Sequence, residues 1–280
     1  MIRSYCKINL SLRVIKKLKS GLHNIQSNIF ILNLFDEIEI SKLKKKSDLV
    51  IFKGQFKKHI NPKKNSITET LRLLRQKKLI KVNQFYKVTV LKKIPVFAGF
   101  GGGTSNSYFV TKYFLKNKIN NKKIIKELEK KIGSDLRVFK HQQMYQISLR
   151  QFNKFKKKLN FYFVLVYPNL RCSTKMIYAR VKNLSKFQKD ITSNVKSKNN
   201  FIDIIKEDKN DLEKISILKY PKIRKVLSSL SMQNKCILSR MTGSGSACFG
   251  MFSTKKSALL ALRKIKNKFP GYWCVTAKSI

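Results

Sequence analysis

Acidic residues are scarce in this chain: 14 Asp and Glu stand against 62 Lys and Arg, a formal charge of +48 over 280 residues. Any carboxylate chemistry therefore has few positions to draw on. Arginine is scarce too, supplying 11 of the 62 cations. Arg is the side chain suited to bidentate phosphate and guanine contacts, and the lysines are scattered through nearly every segment rather than gathered in one stripe. This pattern reads as compositional drift towards Lys, Asn and Ile. It speaks against nucleic-acid binding as the main function and suits an acidic small-molecule substrate. The five cysteines are odd in number, widely spaced and without a CxxC pair, so buried reduced thiols are expected. No apolar run approaches the about 18 residues that cross a bilayer, so no membrane association is expected. "MIRSYCKINL" enters an alternating strand without the apolar core of a signal peptide. A cytoplasmic location is the expectation.

A chain of this length buries roughly 75% of its unfolded surface, in one large or two modest domains. "INLSLRV" alternates, with Ile8, Leu10, Leu12 and Val14 on one face and Asn9, Ser11 and Arg13 on the other. Lys7 shares the polar phase. "FDEIEISKL", "SDLVIFKGQF" and "QFYKVTVLKKIP" read as further strands. "SITETLRLLRQ" reads as a helix with a capping box from Ser66 to Glu69. Thr104 or Ser105 is placed to cap "NSYFVTKYFLK", and "NKKIIKELEKKIG" is an amphipathic helix stopped by Gly133. A second half begins near residue 155 with the buried strand "FYFVLVYP" and the capped helix "STKMIYARVKN". The polar stretch "SKFQKDITSNVKSKNN" has the composition of a loop. Two short helices follow, then strand "KCILSRM", loop "TGSGSA", strand "CFGMF", helix "KKSALLALRKIKNKF" and strand "WCVTAKSI". Strands and helices mix without regular βαβ alternation, which predicts an α+β chain of two domains, 1–154 and 155–280. No internal repeat is visible.

The chemistry gathers at "PVFAGFGGGTSN", where Gly99, Gly101, Gly102 and Gly103 precede Thr104, Ser105 and Asn106 between a strand and a helix. Converging backbone amides and a helix N-terminus form the usual device for holding phosphate. The loop lacks the lysine of a P-loop, has Thr104 where a Rossmann frame needs glycine, and the chain has no HRD or DFG. A different phosphate-binding fold is therefore required. Phosphoryl transfer also needs a base or positioning carboxylate. Asp36, Glu37 and Glu39 read as a turn and strand start, Asp48 as a strand start, Glu69 as a cap, and Glu127 and Glu129 as a solvated helix face. The six acids from Asp190 to Glu213 fall in polar stretches. Asp135 remains, in "KKIGSDLRVF"; taken alone, it reads more readily as a cap or turn residue. Lys7 could favour an ionised base and steady a transferring phosphoryl group. "MTGSGSACFGMF", in isolation, is a hairpin turn, and a lone His23 is usually a satisfied histidine.

Taken together these segments resemble the GHMP kinase superfamily. Within it they resemble the family that phosphorylates the cytidine-diphospho derivative of methylerythritol in non-mevalonate (MEP) isoprenoid and terpenoid biosynthesis. "CKINLSLRV" is similar to that family's A-K-[IL]-N-L strand and "GLHNIQSNIFILNLFDEIEI" to its G-Y-H-x-[LI]-Q segment. "PVFAGFGGGTSN" is similar to its P-x-x-[AG]-G-L-G-G-G-[ST]-S-N loop, "IGSDLRVF" to G-[AS]-D-V-P-F-F, and "SRMTGSGSACFGMF" to its third glycine loop. The resemblance covers essentially the whole chain. It implies a two-domain GHMP kinase fold, with an N-terminal ribosomal-protein-S5-like α/β domain and a C-terminal ferredoxin-like α+β domain. It also implies ATP as phosphoryl donor, Mg²⁺, and transfer to the 2-hydroxyl of the methylerythritol unit.

Carried over by position, Asp135 is the base and Lys7 its electrostatic partner. Pro95, Val96, Phe97, Ala98, Gly99, Phe100, Gly101, Gly102, Gly103, Thr104 and Ser105 wrap the ATP phosphates, with Ser105 near Mg²⁺ and Asn65 near the adenine. Asn9 and His23 touch the small-molecule substrate, His23 at the cytosine edge. Thr174 and Tyr178 flank the cytidine, and Gly243, Ser244 and Gly245 close over the substrate end. The chain departs from the family pattern in four places. Leu22 replaces the Tyr before His, Arg137 replaces Pro, Phe100 replaces Leu, and "HQQMYQISLR" lacks the usual Ala-Arg-Gly-x-Gly-Glu-like loop. A homoserine- or mevalonate-type GHMP kinase and a basic RNA-binding protein are the alternatives. Monomer and homodimer both stay open.

Overall fold

A computed structural model describes residues 1–116 and 122–280. In chain order the elements are β1 (Ile2–Asn9), β2 (Arg13–Lys17), β3 (His23–Leu43), β4 (Leu49–Lys53), α1 (Ser66–Gln76), β5 (Phe85–Leu91), α2 (Gly102–Phe114) and α3 (Lys122–Ile132), then β6 (Gln143–Gln146), β7 (Phe152–Lys154), β8 (Tyr162–Tyr167) and α4 (Thr174–Tyr178). They continue with α5 (Lys198–Glu207), α6 (Glu213–Lys219), α7 (Lys222–Ser231), β9 (Leu238–Met241), β10 (Cys248–Phe252), α8 (Lys255–Lys268) and β11 (Trp273–Lys278). The helix expected from Asn121 is described from Lys122, and Asn121 itself lies outside the described residues. The chain forms two compact units drawn from discontinuous segments. One comprises Met1–Cys6, Leu34–Val96 and Gly101–Lys140; the other comprises Lys7–Asn33, Phe97–Phe100 and His141–Ile280.

In the first unit the C-terminal half of β3 runs antiparallel to β5, from Glu37 opposite Leu91 to Leu43 opposite Phe85. β5 pairs in parallel with β4. Asp36, Glu37 and Glu39 therefore lie inside a 21-residue strand rather than at the expected turn and strand start, with Asp36 and Ile38 buried in the sheet. Helix α1 buries Ile67, Leu71 and Leu74. Its cap is Asn65 and not Ser66: the Asn65 carboxamide oxygen accepts from Ile67 N and Thr68 N, both at 3.0 Å, and Thr68 Oγ1 closes the box. Asn and Ser cap about equally well, so the position is decided by the backbone, extended at Asn65 and helical from Ser66, and Glu69 pairs with Arg72 at 2.7 Å instead.

In the second unit the N-terminal half of β3 pairs antiparallel with β2 and β6, and β6 with β7. The expected single strand 8–14 breaks after Asn9. Leu10 N donates to Asn28 O (2.7 Å) and Leu12 N to Lys209 O (2.9 Å), which redirects the backbone. Both faces of this stretch are buried, so the polar phase is satisfied internally rather than by water. Strands β8 to β11 form an antiparallel sheet in the order β11-β8-β10-β9. With α7 and α8 packed on it, this is the βαββαβ ferredoxin-like arrangement. Its core joins Val164, Val166, Val226, Leu230, Phe252 and Ile265.

Three helices, α5 to α7, stand where two were expected. The polar stretch after Ser185 is an anchored segment: Gln188 and Gln26 exchange bonds of 2.7 and 2.8 Å, and Ile191 and Val195 are buried. The five cysteines stand outside any disulfide, and four of them are buried. Burial pushes Cys172, Cys236 and Cys274 up to about 11.

Candidate active site

The first unit carries the helix that follows the glycine loop. Gly101, not Thr104 or Ser105, is the residue before α2; it holds φ +69 and no side chain caps the helix. Glycine takes this left-handed turn without steric cost, and the first intrahelical bond is Ser105 N to Gly101 O at 2.8 Å. The amides of Gly102 and Gly103 thus open the helix without a side-chain cap, an arrangement whose partial positive charge favours an anion. The Ser105 hydroxyl points elsewhere: it is fully buried, donates to Tyr5 O and meets Ser4 Oγ at 2.8 Å.

Beneath this turn lies a buried ion pair that sequence reasoning missed. Asp36 Oδ2 accepts from Lys92 Nζ, and its other oxygen takes Lys93 N (2.8 Å) and Ile94 N (2.9 Å). The Asn106 side-chain amide donates to Asp36 Oδ2 at 2.9 Å. A Cβ at Gly102 would stand 3.2 Å from Ile94 Cγ2 and 3.3 Å from Lys92 Nζ, so the pair fixes the backbone just before and just after the loop. Asn65 is committed to capping α1 and also donates to Asn61 O and Pro62 O. Asp135 lies in the first turn of a 3₁₀ segment, Ser134–Lys140, and is half-buried. Arg137, where the family pattern has Pro, ties that segment to α3 through Glu129.

The second unit gathers most of the remaining predicted residues. Lys7 is 4% exposed and donates from Nζ to Asn9 Oδ1, while its backbone N donates to Phe100 O at 3.0 Å. Asn9 is held at both ends, N to Thr242 Oγ1 (2.9 Å) and Nδ2 to Ser27 Oγ (2.8 Å). Gly243 packs on this pair: a Cβ there would lie 3.4 Å from Asn9 Oδ1 and 3.6 Å from Gly99 O. Ala247 N donates to Ala98 O at 3.2 Å. "TGSGSA" is the hairpin loop between β9 and β10, as its sequence reads in isolation, and it also packs on the Lys7–Asn9 strand and on Ala98 and Gly99.

Two further residues position that loop. Asn210 Nδ2 donates to Met241 O and Gly243 O, both at 2.8 Å. Glu213 Oε2 accepts from Met241 N at 2.7 Å, and burial pushes its carboxyl above the usual range. Their sequence signal was slight: a polar "NDLE" run whose partners lie about 30 residues away.

His23 and Tyr178 stack with centroids 5.1 Å apart at 30°, while Leu22 beside them is 50% exposed. Thr174 Oγ1 and Ser244 Oγ are 2.9 Å apart. The second unit thus presents a stacked aromatic pair, a hydroxyl pair, two glycine turns and a buried lysine.

Comparison with known proteins agrees with this picture. Residues 188–271 match the family described as GHMP kinases C terminal. The 4-diphosphocytidyl-2-C-methyl-D-erythritol kinase of Pelagibacter ubique is 37% identical over 100% of this chain and 98% of its own. That of Wolbachia pipientis wMel is 30% identical, with both chains covered in full. A crystal structure of 4-(cytidine 5'-diphospho)-2C-methyl-D-erythritol kinase superposes with a TM-score of 0.74 at 19% identity, covering 98% of each chain. The Methanococcus jannaschii mevalonate kinase reaches 0.67 at 15% identity, over 100% and 98%. The solved structures establish the fold as that of the GHMP kinases. The full-length relatives narrow it further: this chain belongs to the 4-diphosphocytidyl-2-C-methyl-D-erythritol kinase family.

Proposed function

We propose that this chain transfers the γ-phosphoryl group of ATP to the 2-hydroxyl of 4-diphosphocytidyl-2-C-methyl-D-erythritol, giving the 2-phosphate and ADP. The step belongs to non-mevalonate isoprenoid biosynthesis. The observation that carries the reaction type is the α2 N-terminus, opened by Gly101 at φ +69 and left without a side-chain cap. The relatives' shared name carries the acceptor.

In this reading Asp135 accepts the proton of the acceptor hydroxyl, whose oxygen then bonds to phosphorus as ADP departs. The buried Lys7 ammonium, aimed by Asn9, favours the charge that develops on the transferred group. The loop from Pro95 to Ser105 holds the donor phosphates by backbone amides. Asn65 lies near the adenine, its side chain being spent on the cap. His23, Thr174 and Tyr178 receive the cytidine, and Gly243, Ser244 and Gly245 cover the substrate end.

Among the described residues no three His, Cys, Asp or Glu side chains gather to cage a metal. Mg²⁺ in such sites rests on one or two protein oxygens plus waters and phosphates. Ser105 Oγ, fully buried and bonded to Tyr5 O and Ser4 Oγ, would have to turn away from these bonds to take that part. When bound, Mg²⁺ supplies neutralisation of phosphate charge.

We retain 1–154 and 155–280 as the sequence domains, supported by the family match at 188–271 lying within the second. Among the described residues no helix is long and apolar enough to cross a membrane, and a cytoplasmic enzyme accords with a water-soluble nucleotide substrate. The test is ADP release from ATP and Mg²⁺ with the cytidine-diphospho acceptor, homoserine or mevalonate. Turnover with the first alone supports the proposal. Preference for either of the others overturns it.

A further inference from the structure

The guanidinium of Arg171 lies over the Phe97 ring, 5.4 Å from its centroid. Phe97 is 56% exposed and holds φ +57, a backbone region disfavoured for a bulky L-residue. An exposed aromatic ring kept in a disfavoured conformation is the kind of outlier that points to function. Both residues line one cavity of about 460 Å³, together with Gly99, Ser173, Thr174 and Gly245.

Arg171 is the one charged side chain in that lining. Gly99 and Gly245 hold φ +86 and +87 and bring bare backbone to the wall. Thr174, bonded to Ser244, adds hydroxyl donors. The same segment continues to Tyr178, which stacks on His23. Residues 171–178 therefore present a cation on an aromatic shelf at one end, hydroxyls between, and an aromatic wall at the other. This is the order of groups met along a nucleoside diphosphate read from its diphosphate to its base.

We propose that Arg171, oriented by Phe97, is a specificity-determining residue that takes the diphosphate of the acceptor. This rests on the acceptor being a cytidine diphosphate derivative. A guanidinium offers paired N–H donors that match phosphate oxygens. Stacking on Phe97 fixes its plane in advance, so less freedom is lost on binding. The donor nucleotide also carries phosphates, and Phe97 and Gly99 both belong to the loop whose backbone amides are assigned to it. Thr174 and Tyr178, on the same segment as Arg171, favour the acceptor.

Arg171→Met should raise the acceptor KM by about tenfold or more, the scale of a lost charge-assisted contact. Turnover and the KM for ATP should stay within about threefold, and Arg171→Lys should recover part of the loss. In calorimetric titrations Arg171→Met should weaken CDP by a similar factor while leaving cytidine unchanged. Phe97→Leu should give an intermediate loss for CDP. Unchanged acceptor KM and CDP affinity would overturn the assignment, as would a rise confined to the KM for ATP or a wild type that binds neither CDP nor cytidine. A wild type that fails to phosphorylate the acceptor defeats the functional reading alone; the comparison of CDP with cytidine still decides the role of Arg171.

Discussion

Gly99 approaches Thr242 so closely that a Cβ at position 99 would run into the Thr242 carbonyl oxygen, and Gly99 holds φ +86. Gly21 has a similar φ, +79, but nothing within 4 Å of its missing Cβ. The two glycines separate backbone strain from close approach. Gly21→Ala should cost about 1–2 kcal/mol, the left-handed penalty alone. Gly99→Ala should cost more and lower turnover at least about tenfold, because the two loops can no longer close on each other. Urea unfolding beside steady-state kinetics checks this; equal effects from the two substitutions would show that the contact carries no weight.

Asp135→Asn should reduce turnover by about 10²–10⁴, the usual worth of a general base, with the KM for ATP within a few-fold. Lys7→Ala should lower turnover more than it weakens either ligand, since its charge acts on the developing transition state. Wild-type turnover in Asp135→Asn removes the base assignment. A Lys7→Ala enzyme in which only the KM for ATP rises makes Lys7 a binding residue.

Asp36 and Lys92 are buried at 0% and 2% exposure. Asp36→Ala leaves an uncompensated ammonium and two backbone donors, Lys93 N and Ile94 N, without their acceptor. The expected loss is about 3–5 kcal/mol, whereas Asp36→Leu with Lys92→Met should recover much of it. Chemical denaturation measures both. A loss below about 1 kcal/mol for the single change would mean that water reaches the pair.

How much of this was legible beforehand depends on the range of the contact. The glycine loop, Lys7 with Asn9, and the β8–β11 sheet show in the sequence because local spacing or an apolar run encodes them. Asp36 did not, because its partners Lys92 to Ile94 lie more than 50 residues away and its neighbours Glu37 and Glu39 resemble a solvated strand edge. Asn210 and Glu213 were hidden in the same way, as polar residues in a Lys-rich stretch whose acceptor and donor partners lie on β9 and the loop after it. The α2 cap was misread because a hydroxyl run favours capping locally, while Ser4 and Tyr5 claim Ser105 from a distant strand.

His23 and Tyr178, stacked at 5.1 Å, set the last expectation. Burial and then the nearby Lys17 charge push the His23 imidazole below its ordinary value. Protons are thus taken up first by the unfolded chain, so any stability from neutral His23 is fully present above about pH 6.5 and is lost below it, as pH falls through the lower value of the folded chain. The acceptor KM should stay flat from about pH 8 to 6.5 and rise only at lower pH, with Tyr178→Ala raising it throughout. Leu22, half exposed beside this pair, offers an apolar wall without a π-face. A stacked ring is worth roughly 1–3 kcal/mol per base, so Leu22→Tyr should tighten the acceptor by up to about tenfold, ~1.4 kcal/mol, with little change in the KM for ATP. Unchanged or poorer acceptor affinity in Leu22→Tyr would mean that His23 already fills the place of the missing ring.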